Sequence, residues 1–278
     1  LLMARAGVVS PDRSWDLDFA SYNGVSFSVS AQEGRARGVF FRPDGSKMYV
    51  TGFGSDNINE YDLSTPWDIS TASFLQSKSV SAQEAFPQSF YIKSDGLSLF
   101  LLNYAPLGSG GIFEYSMSTA WDISTLTYVG AVTLAEIPEP QQCWFTDDGF
   151  NFYSSGFDSF SSASDGDAIY QYSLSTAWDI STTSYVGKYI TRNETRLPQG
   201  VSISPDGYTA FVVDFVSREV LQYALSTQND FTTASFQKSF SISGQSSSEP
   251  AGIFVRPEGD RFYIASDGNN AIFAYDIG

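Results

Sequence analysis

Hydrophobic and polar positions alternate along most of the chain with a period of two. Residues 200–204 place Val201 and Ile203 between Gly200, Ser202 and Ser204, then break at Pro205-Asp206-Gly207. That pattern predicts a strand closed by a tight turn. Tyr208 to Phe215 is nearly continuous in apolar residues, as a strand covered on both faces should be. Glu219 to Leu225 alternates again, Ser226 to Asp230 reads as a turn, and Thr233 to Ile242 predicts a fourth strand. No segment of this unit has the 3.6-residue period of an amphipathic helix.

The unit recurs. Trp67-Asp68-Ile69-Ser70-Thr71 returns as Trp121-Asp122-Ile123-Ser124-Thr125 and as Trp178-Asp179-Ile180-Ser181-Thr182. Weaker copies begin at Trp15-Asp16 and Asn229-Asp230. Tyr61, Tyr115, Tyr172, Tyr223 and Tyr275 open a second repeated phrase. Turns at Asp44-Gly45, Asp95-Gly96, Asp148-Gly149, Asp206-Gly207 and Glu258-Gly259 keep step with both. Five copies of a four-stranded meander of about 50 residues predict an all-β fold, a five-bladed β-propeller of four-stranded antiparallel blades. The first Trp-Asp phrase precedes the first Asp-Gly turn, and the last copy stops after Tyr275. An N-terminal strand near residues 18–30 is therefore expected to complete the fifth blade and close the ring. Residues 1–13 read as a lead segment and residues 14–278 as one propeller domain.

Residues needed in every blade are expected to maintain the blade. Ser, Thr and Asp of the Trp-Asp phrase can bond backbone groups while Trp packs beneath, and the turn glycines supply positive φ.

Composition removes mechanisms without nominating one. The net charge of −16 opposes binding to nucleic acid, and no apolar run is long enough for membrane insertion as a helix. The absence of histidine excludes Ser-His-Asp and Cys-His catalysis and His-ligated zinc. One cysteine, Cys143, cannot form an internal disulfide. No cofactor is implied.

The segments Gly38 to Val50 (GVFFRPDGSKMYV) and Gly200 to Val212 (GVSISPDGYTAFV) resemble YVTN/lactonase-like propeller repeats. The longer phrase Tyr172 to Thr182 (YSLSTAWDIST) is similar to repeats of marine bacteria and their bacteriophages. The second resemblance implies a structural or tail-fibre setting, on a virion surface or outside the cell. Lactonases of the wider group have seven blades and use histidine and arginine, so their activity is not carried over to this chain.

Candidate sites fall on the connections that vary between copies, which should share one face of the disc. Phe53, Tyr104, Phe157 and Phe215 occupy equivalent loop positions, with Asp267 in the fifth. Phe160 lies in an insertion. Aromatic rings at a rim offer flat apolar faces to a sugar, so these six residues are the expected ligand-binding set. Asp158, Asp165 and Asp167 are weak Ca²⁺ candidates, since calcium takes several oxygen ligands from a flexible loop. The expected function is non-enzymatic recognition of a glycan or host cell-surface receptor, or docking to other virion or assembly proteins. Two alternatives stay open. One is a glycoside hydrolase using paired carboxylates from Glu33, Glu84, Glu136 or Glu194; the other is a pure scaffold.

Overall fold

The computed structural model describes residues 13–83, 86–105, 110–159, 166–245 and 249–278. Among the described residues twenty strands form five four-stranded antiparallel sheets. Blade A holds β2 (Ala36–Phe41), β3 (Lys47–Gly52), β4 (Asn57–Leu63) and β5 (Ala72–Ser79). Blade B holds β6 (Pro87–Ile92), β7 (Ser98–Asn103), β8 (Gly111–Met117) and β9 (Leu126–Thr133). Blade C holds β10 (Glu139–Phe145), β11 (Asn151–Phe157), β12 (Ala168–Leu174) and β13 (Thr183–Ile190). Blade D holds β14 (Pro198–Ile203), β15 (Thr209–Asp214), β16 (Glu219–Leu225) and β17 (Ala234–Ser241). Blade E combines β18 (Pro250–Val255), β19 (Arg261–Ser266) and β20 (Ala271–Ile277) with β1 (Ala20–Ser28), in the order β1-β20-β19-β18.

The expected closure is therefore present: β1 pairs antiparallel with β20, Tyr22 opposite Tyr275 and Phe27 opposite Ile272. The innermost strands β2, β6, β10, β14 and β18 touch their neighbours all the way round. Inner strands are buried along their length, whereas outer strands such as β5 and β17 alternate between partly buried and exposed positions. That gradient follows from position, since only the outer strand of each blade has an edge facing water.

The Trp-Asp phrase forms one motif in every blade. Asp68 accepts from the Ser70 amide at 3.0 Å and hydroxyl at 2.6 Å, capping a one-turn 3-10 helix over Ile69–Thr71. The Thr71 hydroxyl donates to the Asp68 carbonyl at 2.8 Å. Trp67 has φ 66°, a left-handed conformation that costs a bulky residue free energy. The turn opposite it offsets that cost. The Trp67 amide donates to the Gly45 carbonyl at 3.0 Å, and a Cβ on Gly45 would lie 2.4 Å from the indole nitrogen. Only glycine admits the ring. Trp15 seals Gly259 in the same way, so the N-terminal segment completes blade E by turn as well as by strand.

These turns also join the blades. The Tyr263 hydroxyl of blade E donates to the Trp67 carbonyl of blade A at 2.6 Å, and Tyr49 of blade A to Trp121 of blade B at 2.8 Å. Tyr153 of blade C donates to the Asn229 carbonyl of blade D at 2.7 Å. Arg256, Arg42 and Lys93 stack on Trp67, Trp121 and Trp178 of the following blade at 5.2, 6.0 and 5.7 Å. At the remaining seam Trp15 packs on Phe211 at 5.4 Å, and Lys238 pairs with Asp16 and Asp18.

Candidate functional site

The loop face gathers its candidate side chains between blades E, A and B. Phe53 follows β3, which ends at Gly52 because the chain must turn across the carbonyl of Arg35. A Cβ on Gly52 would lie 1.9 Å from that oxygen. The Phe53 ring meets Phe86 edge-on at 6.0 Å and Tyr104 at 6.2 Å. The backbone fixes this meeting, since the Tyr104 amide donates to the Phe86 carbonyl at 2.9 Å. Phe86 is 55% exposed. The guanidinium groups of Arg35 and Arg37 lie 5.2 and 4.9 Å from the Phe53 centroid.

Asp267 is not an open rim acid. It is buried, and its oxygens accept from Arg35 at 3.1 and 2.9 Å and from Arg37 at 2.6 Å. The hydrogen bond to Asp267 raises Arg35 above its ordinary pKa. Burial lowers Arg37, with the same carboxylate pulling the other way. Arg37 then crosses the propeller axis to Gln199 of blade D at 3.1 Å. Gln142 of blade C crosses it too, donating to the Ile253 carbonyl at 2.8 Å and accepting from its amide at 2.9 Å. A Cβ at Gly200 would stand 2.9 Å from the Gln142 amide oxygen. These bridges close the axis below the loop face.

The other expected residues do not join this cluster. Phe157 ends β11 and Phe215 follows β15, both half-buried, on blades C and D. Phe160 and Asp165 lie outside the described residues. Asp167 is buried, accepts from the Asp158 amide at 3.4 Å and faces Arg192 at 3.6 Å. Among the described residues no three metal-ligating side chains gather. Of the acids read as a hydrolytic pair, Glu84 also lies outside the described residues. Glu33 is fully committed, one oxygen accepting from the Arg35 and Gly54 amides and the other from the Ser55 hydroxyl, at 2.8, 2.7 and 2.6 Å. Glu136 is exposed and accepts from Tyr172 at 3.2 Å, and burial raises the Glu194 carboxyl. Glu139 is buried, accepting from Ser159 and from Tyr104 at 3.4 Å.

Reading the loops alone misses two features. Phe86 occupies the position at which the other blades carry Arg35, Glu139, Leu197 and Glu249. An aromatic at a site otherwise polar or aliphatic is the signal that would have found it. The second is a cavity of about 320 Å³ on the opposite, turn-bearing face, lined by Phe40, Tyr91, Trp144 and Phe254. These four stand five residues before their turn glycines, a spacing visible in the sequence.

No protein-family model matches the chain, and no curated protein matches it. Solved structures do. A protein of unknown function from Desulfotomaculum acetoxidans is 12% identical, with a TM-score of 0.50 over 83% of this chain and 62% of its own. A protein from Bacteroides uniformis, provisionally assigned as a 6-phosphogluconolactonase, is 13% identical, with a TM-score of 0.51 over 86% and 65%. A third, from Bacteroides fragilis with the same provisional assignment, is 17% identical, with a TM-score of 0.48 over 74% and 55%. The chain thus spans about three-fifths of the length of the structures it matches. Identities this low establish the fold and carry no activity across. They do correct one expectation. A provisionally assigned lactonase stands among the structural neighbours, so the expectation that this chain is not an enzyme is withdrawn. At the level of fold, the Bacteroides uniformis neighbour agrees with the resemblance to lactonase-like propellers.

Proposed function

We propose that the chain is a surface-recognition propeller whose loop face binds carbohydrate on a glycan or host cell-surface receptor. The observation that carries this reading is the three-ring platform of Phe53, Phe86 and Tyr104, with Phe86 exposed and Arg35 beside it. A sugar ring lies on such a surface by its apolar face, while Arg35, half of whose side chain is exposed, donates to hydroxyl or carboxylate oxygens. The similarity of the Tyr172 to Thr182 phrase to phage repeats supports an extracellular or virion setting of the tail-fibre kind.

The test is binding of the labelled protein to a broad glycan panel and to bacterial surface polysaccharides, beside a Phe86→Ala/Tyr104→Ala variant. Saturable binding weakened at least about tenfold in a variant that melts normally is the expected result. Unchanged binding by that variant removes the platform from the reading.

A second reading, assembly with other virion proteins, rests on the outer strands. Phe74 and Leu75, Tyr128 and Val129, and Tyr185 and Val186 are exposed at equivalent positions of three blades. An apolar edge repeated in this way suits docking against a partner surface.

A further inference from the structure

We propose that the axial cavity on the turn-bearing face binds a small quaternary ammonium cation. Four of the five inner strands each place one aromatic ring around the axis. Neighbouring centroids are 5.1 Å apart for Phe40 and Tyr91, 5.5 Å for Tyr91 and Trp144, 6.0 Å for Trp144 and Phe254, and 5.2 Å for Phe254 and Phe40. The loop of rings is closed. Its fifth place is taken by the small Ser202. A volume of about 320 Å³ lies against these rings, within the usual range for a small-ligand pocket.

Charge selects the guest. The charged residues lining the cavity are Asp147 and Asp148, and no lysine or arginine lines it. The cations repeated on this face, Arg42, Lys93 and Arg256, are each paired with an acid of their own turn, at 3.2, 2.8 and 2.9 Å. Asp148 is held by its turn, accepting from the Thr146 hydroxyl at 2.6 Å and the Phe150 amide at 3.0 Å. Asp147 makes no hydrogen bond or ion pair among the described residues. It stands where the other blades carry Pro43, Ser94, Pro205 and Pro257, so here alone the repeat introduces a carboxylate. Asp147 is exposed as a residue, and partial burial of its carboxyl, followed by the neighbouring Asp148, raises it above its ordinary value. The attraction of a bound cation would favour the ionised carboxylate against both causes.

The polar inventory argues against a polyol guest. Ser204 and Thr146 donate to their own turn carboxylates, and Gln228 donates to the Asp206 carbonyl at 2.9 Å. Beyond Asp147, Ser94, Tyr91, Asn229 and the indole N–H groups, the lining offers a sugar's hydroxyls ring faces, and each hydroxyl left unpaired there carries a desolvation cost. A primary ammonium can donate to Asp147, but its remaining N–H groups meet the same difficulty. A quaternary ammonium has none to satisfy. Its methyl groups pack on ring faces, the ring quadrupoles favour its charge, and Asp147 supplies the counter-ion.

The experiment is titration calorimetry of the full chain with choline and with its neutral carbon isostere, 3,3-dimethylbutan-1-ol, at matched ionic strength. Choline is expected to saturate, at least about tenfold tighter than the isostere. Asp147→Asn is expected to weaken choline about three- to tenfold and leave the isostere unchanged. Trp144→Leu, which keeps apolar volume but removes the largest ring, is expected to abolish saturation. Equal affinity for choline and the isostere overturns the proposal, as does no saturation at roughly 50 mM choline. The wild-type comparison decides the matter even if Trp144→Leu fails to fold. Glycan binding by the loop face is expected to persist in saturating choline, which separates the two sites.

Discussion

The two faces of the disc obey different rules. On the turn face every blade repeats one construction, a glycine turn covered by an indole or, in blade D, by Asn229, above a capped 3-10 helix. On the loop face the hairpins within the blades differ in sequence, and three rings meet at a single seam where Phe86 replaces a polar or aliphatic residue. Repetition therefore marks what holds the ring together, and departure from it marks what is free to recognise a ligand. Asp147 carries the same lesson on the repeated face, because it is the one turn residue there that turns a proline or serine into a charge.

The largest expected effect breaks the repeat altogether. Removing residues 1–28 takes away β1 and Trp15, leaving blade E with three strands and β20 as an unpaired edge. Soluble monomer is expected to be lost, measured by size exclusion after refolding. A soluble deletion variant with an unchanged melting temperature would show that closure does not depend on β1.

Next comes the construction of one turn. Trp67 packs on Phe41 and Phe254, receives Arg256 and covers Gly45. Trp67→Ala is expected to cost about 3–5 kcal/mol in denaturant unfolding. Asn229 fills the same place without a ring, and asparagine tolerates positive φ well. Asn229→Ala is expected to cost about 1–2 kcal/mol, through the lost side chain and the strained φ. Equal losses would mean that the backbone conformation, not the indole, carries the motif.

The loop face is tested by its buried charge. Asp267→Ala leaves Arg37 buried beside Arg35 with no carboxylate between them. A loss of about 3 kcal/mol is expected, since an uncompensated buried charge costs more than its pair contributes. A loss below about 0.5 kcal/mol would show that the arginines turn outward to water instead.

The fold was legible because the Asp-Gly turns and Trp-Asp phrases mark out each blade, and one hairpin pattern explains every interval. Even the closing strand could be placed, since a blade lacking its fourth strand at one end needs it from the other. Pairings across the ring were not legible. Asp267 reads as an open rim acid until its partner, 232 residues away in sequence, is seen to cover it. Phe157 and Phe215 share a loop position with Phe53 and Tyr104, yet sit on other blades, away from the platform. Position in the repeat fixes which face a residue occupies, and only the angular order of the blades decides which residues meet.

The smallest expected effect sharpens the comparison at the seam between blades D and E. There Ser204 stands where Arg256, Arg42 and Lys93 stack on an indole at other seams, and an exposed clasp of Lys238 with Asp16 and Asp18 takes their place. The hydrogen bond from Lys238 lowers the Asp16 carboxyl below its ordinary 3.8, against a smaller opposing effect of burial. Its folded value lies below its unfolded one, so its contribution is present above pH 3.8 and fades as pH falls through the lowered value. Lys238 is raised above 10.5 by the two carboxylates, so its contribution is present below pH 10.5 and is lost as pH rises through the raised value. Between those limits the clasp is constant, and its exposure makes it weak and screened by salt. Lys238→Met is therefore expected to lower the melting temperature slightly at pH 7 in low salt, with the wild-type and variant curves converging below the Asp16 transition. A difference that survives at pH 2 would assign the effect to packing of the lysine stem rather than to charge.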